Sequence, residues 1–135
     1  MTHSPFPIII DCDPGHDDAI ALLLAVASPR VELLGVTTCF GNCAVEDATR
    51  NALRILTLAG ETSVPIAQGA SGPLMGTTAL GNYVHGTSGL DGPDIPEPAF
   101  LASELPAVQL IKSLIERSHE PVTLVVTGPM TNAAE

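Results

Sequence analysis

The sequence has few positively charged side chains. Five Lys and Arg stand against fifteen Asp and Glu in 135 residues, which gives a formal net charge of -10 at pH 7. A charge of this sign repels phosphate backbones and anionic lipid headgroups alike. We therefore expect neither nucleic acid nor a membrane surface as a partner.

The sequence also lacks long apolar runs. No stretch approaches the roughly 18 residues of a membrane-spanning helix, and residues 1–7 carry no basic segment of the kind that opens a secretory signal. These absences predict a soluble, cytoplasmic protein. The apolar share of 45% is enough for one hydrophobic core but hardly for two, so we expect one domain or part of one.

Cysteine is scarce and irregularly spaced. Cys12, Cys39 and Cys43 form an odd set without a CxxC pair, which argues against a zinc or redox site. Cys12 lies at the end of an apolar segment, where a small buried thiol packs well. We interpret all three as structural thiols.

Segments of two kinds alternate along the chain. Patterns typical of buried strands occupy residues 7–10, 31–39, 64–67 and 122–126. Helical patterns occupy residues 19–27, 45–59 and 104–118, and Gly60 stands where a positive φ commonly ends a helix. This order predicts an α/β fold with a Rossmann-like, mostly parallel sheet flanked by helices, in which functional residues gather beyond the carboxyl ends of the strands.

Two segments fall outside this alternation. Residues 69–98 are rich in Gly, Pro, Ser and Thr and contain no convincing helix or strand. Structureless loops this long are usually functional or mobile. Residues 131–135 resemble the first turn of a further helix, so we expect the chain to stop inside an element.

Four carboxylates are concentrated at one end of the first strand. Asp11 and Asp13 stand in a predicted turn, residues 11–15, and Asp17 and Asp18 precede the first helix. Mutual repulsion would raise their pKa values, which favours a bound cation. A hard divalent cation suits Asp13 and Asp18, because these two can converge across the Pro-Gly corner. Capping and helix-dipole roles would explain only two of the four.

Spacing distinguishes among the known kinds of cation and phosphate site. An EF-hand is excluded, since Gly15 and His16 stand where its fifth and sixth positions need Asp or Asn and then Gly. No Gly-Lys-Ser or Gly-Lys-Thr supports a P-loop, and no GxGxxG follows a predicted strand. A phosphotransferase of the haloacid dehalogenase type stays open, because Asp11, Asp13 and Thr127 match its pattern. That pattern, however, wants Thr or Val at position 15 and leaves the double Asp unexplained.

Residues 10–19 read IDCDPGHDDA and resemble the DxDPGxDDA signature of the inosine-uridine preferring nucleoside hydrolase family. Further matches to that family follow in its order at residues 35–42, 49–52, 85–90 and 126–132. Members of the family are longer than this chain and form a single domain. The resemblance therefore implies that residues 1–135 are the N-terminal part of one nucleoside hydrolase domain whose C-terminal half is absent.

The resemblance implies an enzyme that cleaves the N-glycosidic bond of ribonucleosides to ribose and free base, with Ca2+ as its cofactor. It makes Asp13 and Asp18 calcium ligands, together with the backbone carbonyl of Thr127. Asp13 would also be the general base, taking a proton from a calcium-bound water that attacks the anomeric carbon. In the family, the remaining calcium ligand and the group that assists the leaving base lie in the C-terminal half. We therefore expect the chain alone to be inactive, and its choice between purine and pyrimidine stays open.

The resemblance also assigns roles to further polar residues. Asp17 would bind ribose hydroxyls, His85 would lie near the ribose, and Asp11 would support the site by hydrogen bonding. Asn42 ends the second strand, beside the first in a parallel sheet, so we expect its amide to reach a ligand in the same crevice. Simpler interpretations stay open: Asn42 as a turn former, His85 as a solvated loop residue, and Thr127 as part of a turn that ends a strand.

Two expectations concern the protein as a whole. In its full-length form it should act on a small-molecule nucleoside and assemble as a homo-oligomer, a dimer or a tetramer. The rival interpretation of another class is a non-catalytic fragment that binds a cation and catalyses nothing.

Overall fold

The structure, a computed structural model, describes residues 4–135. Strands within these residues are β1 (Phe6–Cys12), β2 (Val31–Thr38), β3 (Ile66–Gln68) and β4 (Thr123–Val126). The helices are α1 (His16–Ala27), α2 (Val45–Leu58), α3 (Asn82–His85), α4 (Ala107–Arg117) and α5 (Thr131–Ala134). Among the helices of the described part, none is long and apolar enough to cross a membrane.

All four strands belong to one parallel sheet with the order β3-β2-β1-β4. Strand β1 pairs with β2 as far as Cys12 opposite Thr38, and with β4 as far as Asp11 opposite Val126. Ile9 and Ile10 of β1 are buried because the strand is central. This arrangement confirms the predicted Rossmann-like parallel sheet and aligns the carboxyl ends of β1, β2 and β4 at one edge.

Helices cover both faces of the sheet. Val36 of β2 belongs to a core shared with Leu22 of α1 and Leu56 of α2. Successive residues of a strand face opposite sides of the sheet. The preceding residue, Gly35, therefore faces the other side, where an added Cβ would meet Leu114 of α4. Helices α1 and α2 therefore cover one face and α4 the other, and the turns that enter these helices lie beside the strand ends.

The predicted elements are confirmed in kind and order, with two corrections. Asp11 and Cys12 belong to strand β1 and not to the predicted turn at residues 11–15. A carboxylate is tolerated at that strand position because Thr37 and Asn132 both donate hydrogen bonds to it. The loop at residues 69–98 contains the short helix α3, whose N-terminal neighbour Gly81 donates its N–H to the Gly41 carbonyl at 2.7 Å.

Two smaller predictions are also met. Gly60 follows α2 with a φ of 72°, in the region expected of a residue that ends a helix. Cys12, Cys39 and Cys43 are all buried and unbridged, in keeping with structural thiols. Burial raises the pKa of Cys43 to about 12 and also raises the pKa values of Cys12 and Cys39. All three thiols therefore stay protonated at neutral pH.

Candidate active site

The candidate site lies at the carboxyl edge of the sheet, where four parts of the chain meet. These are the turn from β1 into α1, the segment after β2, the segment after β4, and the loop that carries α3. Each part supplies at least one of the residues singled out in the sequence. The sheet therefore brings together side chains that are far apart along the chain.

Asp13 is the most constrained of these residues. Its side chain is only 8% exposed, and its Oδ2 accepts the backbone N–H of Asn42 at 2.8 Å. The Asn42 side chain donates from Nδ2 to the Asp13 carbonyl at 2.9 Å, so one residue holds both ends of Asp13. A Cβ at Gly41 would overlap the Asp13 carboxylate, which explains why glycine stands there. Asn42 is therefore more than a former of turns.

Asp18 lies beside Asp13, as the spacing predicted. Its Oδ2 accepts the backbone N–H of Asp13 at 3.2 Å across the turn that contains Pro14 and Gly15. The Asp18 side chain is buried, in contrast to that of Asp17 one residue earlier. Two carboxylates thus approach each other in a poorly solvated place.

Burial dominates the electrostatics of this pair. Desolvation raises the pKa of Asp13 from 3.8 to about 6, because the hydrogen bond from Asn42 offsets it only in part and the charges of Asp18 and Asp17 add to it. The pKa of Asp18 is also raised, first by burial and then by Asp17, against a hydrogen bond from the side chain of Thr127. Both carboxyls would be stabilised in their ionised form by a nearby positive charge.

Asp11 lies beneath this pair and joins three parts of the fold. Its Oδ1 accepts hydrogen bonds from the Thr37 hydroxyl at 2.6 Å and from Nδ2 of Asn132 at 2.8 Å. Its Oδ2 is buried and has no hydrogen-bond partner within residues 4–135. Burial raises the pKa of Asp11, against those two hydrogen bonds. With a side chain that is 0% exposed, Asp11 cannot reach a phosphoester, which removes the basis of the phosphotransferase alternative.

Thr127 follows β4 directly and is tied to β1. Its backbone N–H donates to the Asp11 carbonyl at 2.9 Å. Gly128, the next residue, lies so close to Asp13 that a Cβ there would stand 2.9 Å from Oδ1. The segment after β4 therefore borders the Asp13 and Asp18 pair.

Asp17 and His85 form the outer part of the site. His85 Nε2 lies 3.6 Å from Asp17 Oδ1, and the His85 side chain is 17% exposed against 78% for Asp17. The His85 ring packs over Gly15, where an added Cβ would meet it. His85 is thus enclosed by the site, in contrast to the solvated alternative, and the structure brings all seven predicted residues together.

The donor set suits a hard cation. Within residues 4–135, no three or more His, Cys, Asp and Glu side chains are grouped so as to hold a metal ion. The groups that do converge are the carboxylates of Asp13 and Asp18, which are oxygen donors of the kind that Ca2+ and Mg2+ prefer. Their burial beside each other raises both pKa values, and a divalent cation would relieve this repulsion.

Some residues that shape the site lie in the segments that match the family, but the sequence analysis gave them no role. Thr37 and Asn132 fix Asp11, and Asn51 donates from Nδ2 to the Ser88 carbonyl at 2.7 Å and to the Pro14 carbonyl at 3.3 Å. Asn51 could have been identified from the sequence, because a polar residue on the apolar face of α2 needs a hydrogen-bond partner when it is buried. Thr37 gave none, because a Thr within a strand is indistinguishable from an ordinary β-branched residue.

Comparisons with known proteins agree with this geometry. A pyrimidine-specific ribonucleoside hydrolase, RihA, from Photobacterium profundum is 56% identical over 128 residues, which are 95% of this chain and 41% of that protein. The Klebsiella pneumoniae protein of the same name is 55% identical with the same coverage. The chain thus spans 41% of the length of these curated relatives.

Solved structures give the same result. A purine-preferring ribonucleoside hydrolase from Gardnerella vaginalis superimposes with a TM-score of 0.88 at 33% identity, over 95% of this chain and 42% of that one. A plant nucleoside hydrolase gives a TM-score of 0.83 at 35% identity, over 96% and 42% of the two chains. The sequence profile described as inosine-uridine preferring nucleoside hydrolase matches residues 8–135. The chain therefore belongs to the inosine-uridine preferring nucleoside hydrolase family.

Proposed function

We propose that this chain supplies the cation-binding and ribose-binding part of an enzyme that hydrolyses the N-glycosidic bond of ribonucleosides to ribose and free base. The observation that carries the proposal is the buried Asp13 carboxylate, held by Asn42 at 2.8 Å and placed beside Asp18. Membership of the nucleoside hydrolase family supports this reaction over other uses of such a pair.

Asp13 is proposed as the general base. The Asp13 carboxylate is ionised at neutral pH and so can accept a proton. Asp13 accepts a proton from the water that attacks the anomeric carbon. The bond from that carbon to the nucleobase breaks, and its electron pair leaves with the nucleobase. The Asn42 N–H holds Oδ2 of Asp13, and Asn42 Nδ2 holds the Asp13 backbone carbonyl, so the carboxylate keeps its place throughout this transfer.

Asp13, Asp18 and the backbone carbonyl of Thr127 are proposed to hold Ca2+. When bound, the ion supplies positive charge that stabilises the ionised carboxylates and acidifies the attacking water. Asp11 is proposed to support the ligands from beneath, since its bonds to Thr37 and Asn132 fix the end of β1.

Asp17, Asn42 and His85 are proposed to contact the ribose. His85 Nε2 and Asp17 Oδ1 lie 3.6 Å apart on the outer side of the site, so both atoms can contact neighbouring hydroxyls of one sugar ring. We infer that the nucleoside is a pyrimidine ribonucleoside, because the relatives at 56% and 55% identity carry that specificity in their names.

Some expectations about the whole protein stay predictions. They are the cytoplasmic location, the homo-oligomeric state, the lack of nucleic acid and membrane partners, and the place of residues 1–135 within a single domain. We further infer that these residues alone release ribose negligibly, because the carboxylates that they contribute leave the cation with an incomplete set of ligands.

The proposed function is tested in a chimaera in which residues 8–135 replace the matching part of the Photobacterium relative. We expect this chimaera to release ribose from uridine, and Asp13→Asn to lower kcat by about 10²–10⁴-fold, because it removes the proton acceptor while keeping the shape. Excess calcium should not restore the Asp13→Asn variant.

Asp18→Asn is the matched control in the same chimaera. A ligand that is not the base mainly governs metal affinity, so added calcium should recover part of this variant's activity. An Asp13→Asn chimaera with near-normal kcat at saturating calcium would assign the base elsewhere. A wild-type chimaera that folds and binds calcium but releases no ribose would overturn the proposed function itself.

A further inference from the structure

Two histidines from distant parts of the chain meet beside the site. His16, the first residue of α1, approaches His85 with 3.0 Å between their Nδ1 atoms, and the ring centroids are 5.1 Å apart. The other ring nitrogen of His16, Nε2, lies 3.0 Å from the backbone carbonyl oxygen of Asp91. His16 thus contacts a hydrogen-bonding group at each of its ring nitrogens.

These contacts fix the positions of the protons on both rings. A backbone carbonyl only accepts hydrogen bonds, so the His16 nitrogen facing Asp91 must carry the proton. In neutral His16 the other nitrogen, Nδ1, is then an acceptor, and the donor across the 3.0 Å contact must be Nδ1–H of His85. In neutral His85, therefore, Nε2 is left without a proton.

Asp17 favours the opposite arrangement but is less well placed. Its Oδ1 would attract a proton on His85 Nε2, yet the 3.6 Å between the two atoms exceeds the usual range of an N–H to oxygen bond. The Asp17 side chain is also 78% exposed, so water screens its charge. His16 is itself exposed, but its 3.0 Å contact to His85 lies within hydrogen-bond range, unlike the contact to Asp17.

The loop around His85 is held firmly enough to keep this geometry. The Asp91 N–H donates to the His85 carbonyl at 3.0 Å, which closes a turn. The Asp91 carboxylate accepts the N–H of Thr87 at 2.9 Å and both the N–H and the hydroxyl of Ser88. Asn51 of α2 holds the Ser88 carbonyl from the other side. The Asp91 carbonyl that faces His16 is thus part of a braced turn.

We propose that His16 is a positioning residue that holds neutral His85 as the Nδ1–H tautomer and so presents His85 Nε2 as a hydrogen-bond acceptor toward the ligand. The functional consequence rests on the proposed ribose-binding role of His85. Nε2 and the Asp17 carboxylate are then two neighbouring acceptors for which residues 4–135 supply no donor. A ligand that satisfies both must bring two donors about as far apart as neighbouring hydroxyls on a sugar ring.

The tautomer is tested by nitrogen-15 NMR of the ligand-free 135-residue chain at about pH 8.5, where imidazole side chains are neutral. We expect His85 to show a protonated Nδ1 and an unprotonated Nε2. His119, which is exposed at the opposite end of the sheet, is the internal reference. A wild-type spectrum with the proton on His85 Nε2 overturns the proposal without any variant.

Two nearly isosteric variants separate the hydrogen bond from the packing. In His16→Asn a side-chain oxygen can replace Nδ1 as the acceptor, whereas His16→Leu has none. We expect Asn to preserve the His85 tautomer and Leu to shift it toward Nε2–H, the form that Asp17 favours. A merely structural role would make the two variants alike, and an unchanged tautomer in His16→Leu would contradict the proposal.

The chimaera described above tests the consequence for binding. His16→Leu should raise KM for uridine about 10-fold, the effect of losing one hydrogen bond of about 1.4 kcal/mol, with little change in kcat. His16→Asn should restore KM to near the wild-type value. A KM that is equal in both variants would overturn the binding consequence. If the chimaera were inactive but the NMR result held, the proposed function would fail while the tautomer assignment stood.

Discussion

At the scale of single residues, the state of Asp13 is decided by a competition between burial and hydrogen bonding. Loss of water raises its pKa from 3.8 to about 6, and the N–H of Asn42 recovers only part of the lost solvation. The folded chain therefore holds this carboxylate in an unfavourable state unless a positive charge is supplied. The same reasoning applies to Asp18 and Asp11, whose pKa values are also raised by burial.

This competition predicts how stability depends on pH without calcium. Because the pKa of Asp13 is higher in the folded chain, that chain binds more protons than the unfolded chain between pH 3.8 and about 6. Protonation of Asp13 therefore stabilises the folded chain at low pH, and this stabilisation is lost as the pH rises through this window. It amounts to roughly 1–3 kcal/mol. Urea unfolding followed at several pH values measures it.

Asp13→Asn is the control for this measurement, since an amide does not titrate. We expect the variant to lose less stability than the wild type as the pH rises from about 4 to about 7. Part of the slope should remain, because Asp11 and Asp18 are also raised in pKa. A variant with the full wild-type slope would show that Asp13 titrates normally in the folded chain.

At the scale of elements, the sequence predicted what depends on local patterns. Apolar periodicity located the long helices and the strands, and the alternation of the two predicted the parallel sheet. The convergence of Asp13 and Asp18 was also predictable, because both flank one short turn. What could not be predicted depends on contacts between distant segments. Asn132 reaches Asp11 from 121 positions away, and α3 is a four-residue helix with no buried residue to mark it.

The bond from Thr37 to Asp11 joins β2 to β1 and provides a test at this scale. Thr37→Val keeps the shape of the side chain and suits a strand, but it removes the donor 2.6 Å from the buried carboxylate. We expect it to lower the free energy of unfolding by about 1–3 kcal/mol, the cost of leaving a buried acceptor short of a partner.

Thr37→Ser is the matched variant, because it keeps the hydroxyl and loses only a methyl group. It should cost about 1 kcal/mol, less than Val does, although Val is the better strand residue. Denaturant unfolding at neutral pH compares the two. Equal or greater stability of Thr37→Val would mean that Asp11 does not depend on this bond.

At the scale of the whole molecule, the net negative charge and the carboxylates of the candidate site should respond differently to added salt. The formal net charge of -10 produces a general self-repulsion that any salt reduces, whereas the candidate site concentrates carboxylates at one edge of the sheet. A cation that binds there should therefore act differently from ionic strength alone. The distinction can be measured on the 135-residue chain, without catalysis.

We expect calcium to stabilise the folded chain by mass action. At a free concentration about 100 times its Kd, the gain is about 2.7 kcal/mol, and it appears as a higher Tm in calorimetry. Sodium chloride at the same ionic strength should give a smaller gain, and Asp18→Asn should reduce the calcium effect at fixed concentration. Equal effects of the two salts, or no loss in Asp18→Asn, would rule out a specific site at Asp18.

The central position of β1 also determines when the site can exist during synthesis. Asp13 leaves the ribosome early, but the strand that completes its surroundings ends at Val126, and Thr127 bonds to Asp11 across 116 positions. Until β4 is added beside β1, the carboxylates remain in water. There they ionise with ordinary pKa values and have little affinity for a cation. A nascent chain therefore cannot bring the segment after β4 beside Asp13 before residues 123–127 have been made. If the proposed function holds, cation binding would accordingly report that β4 has paired with β1.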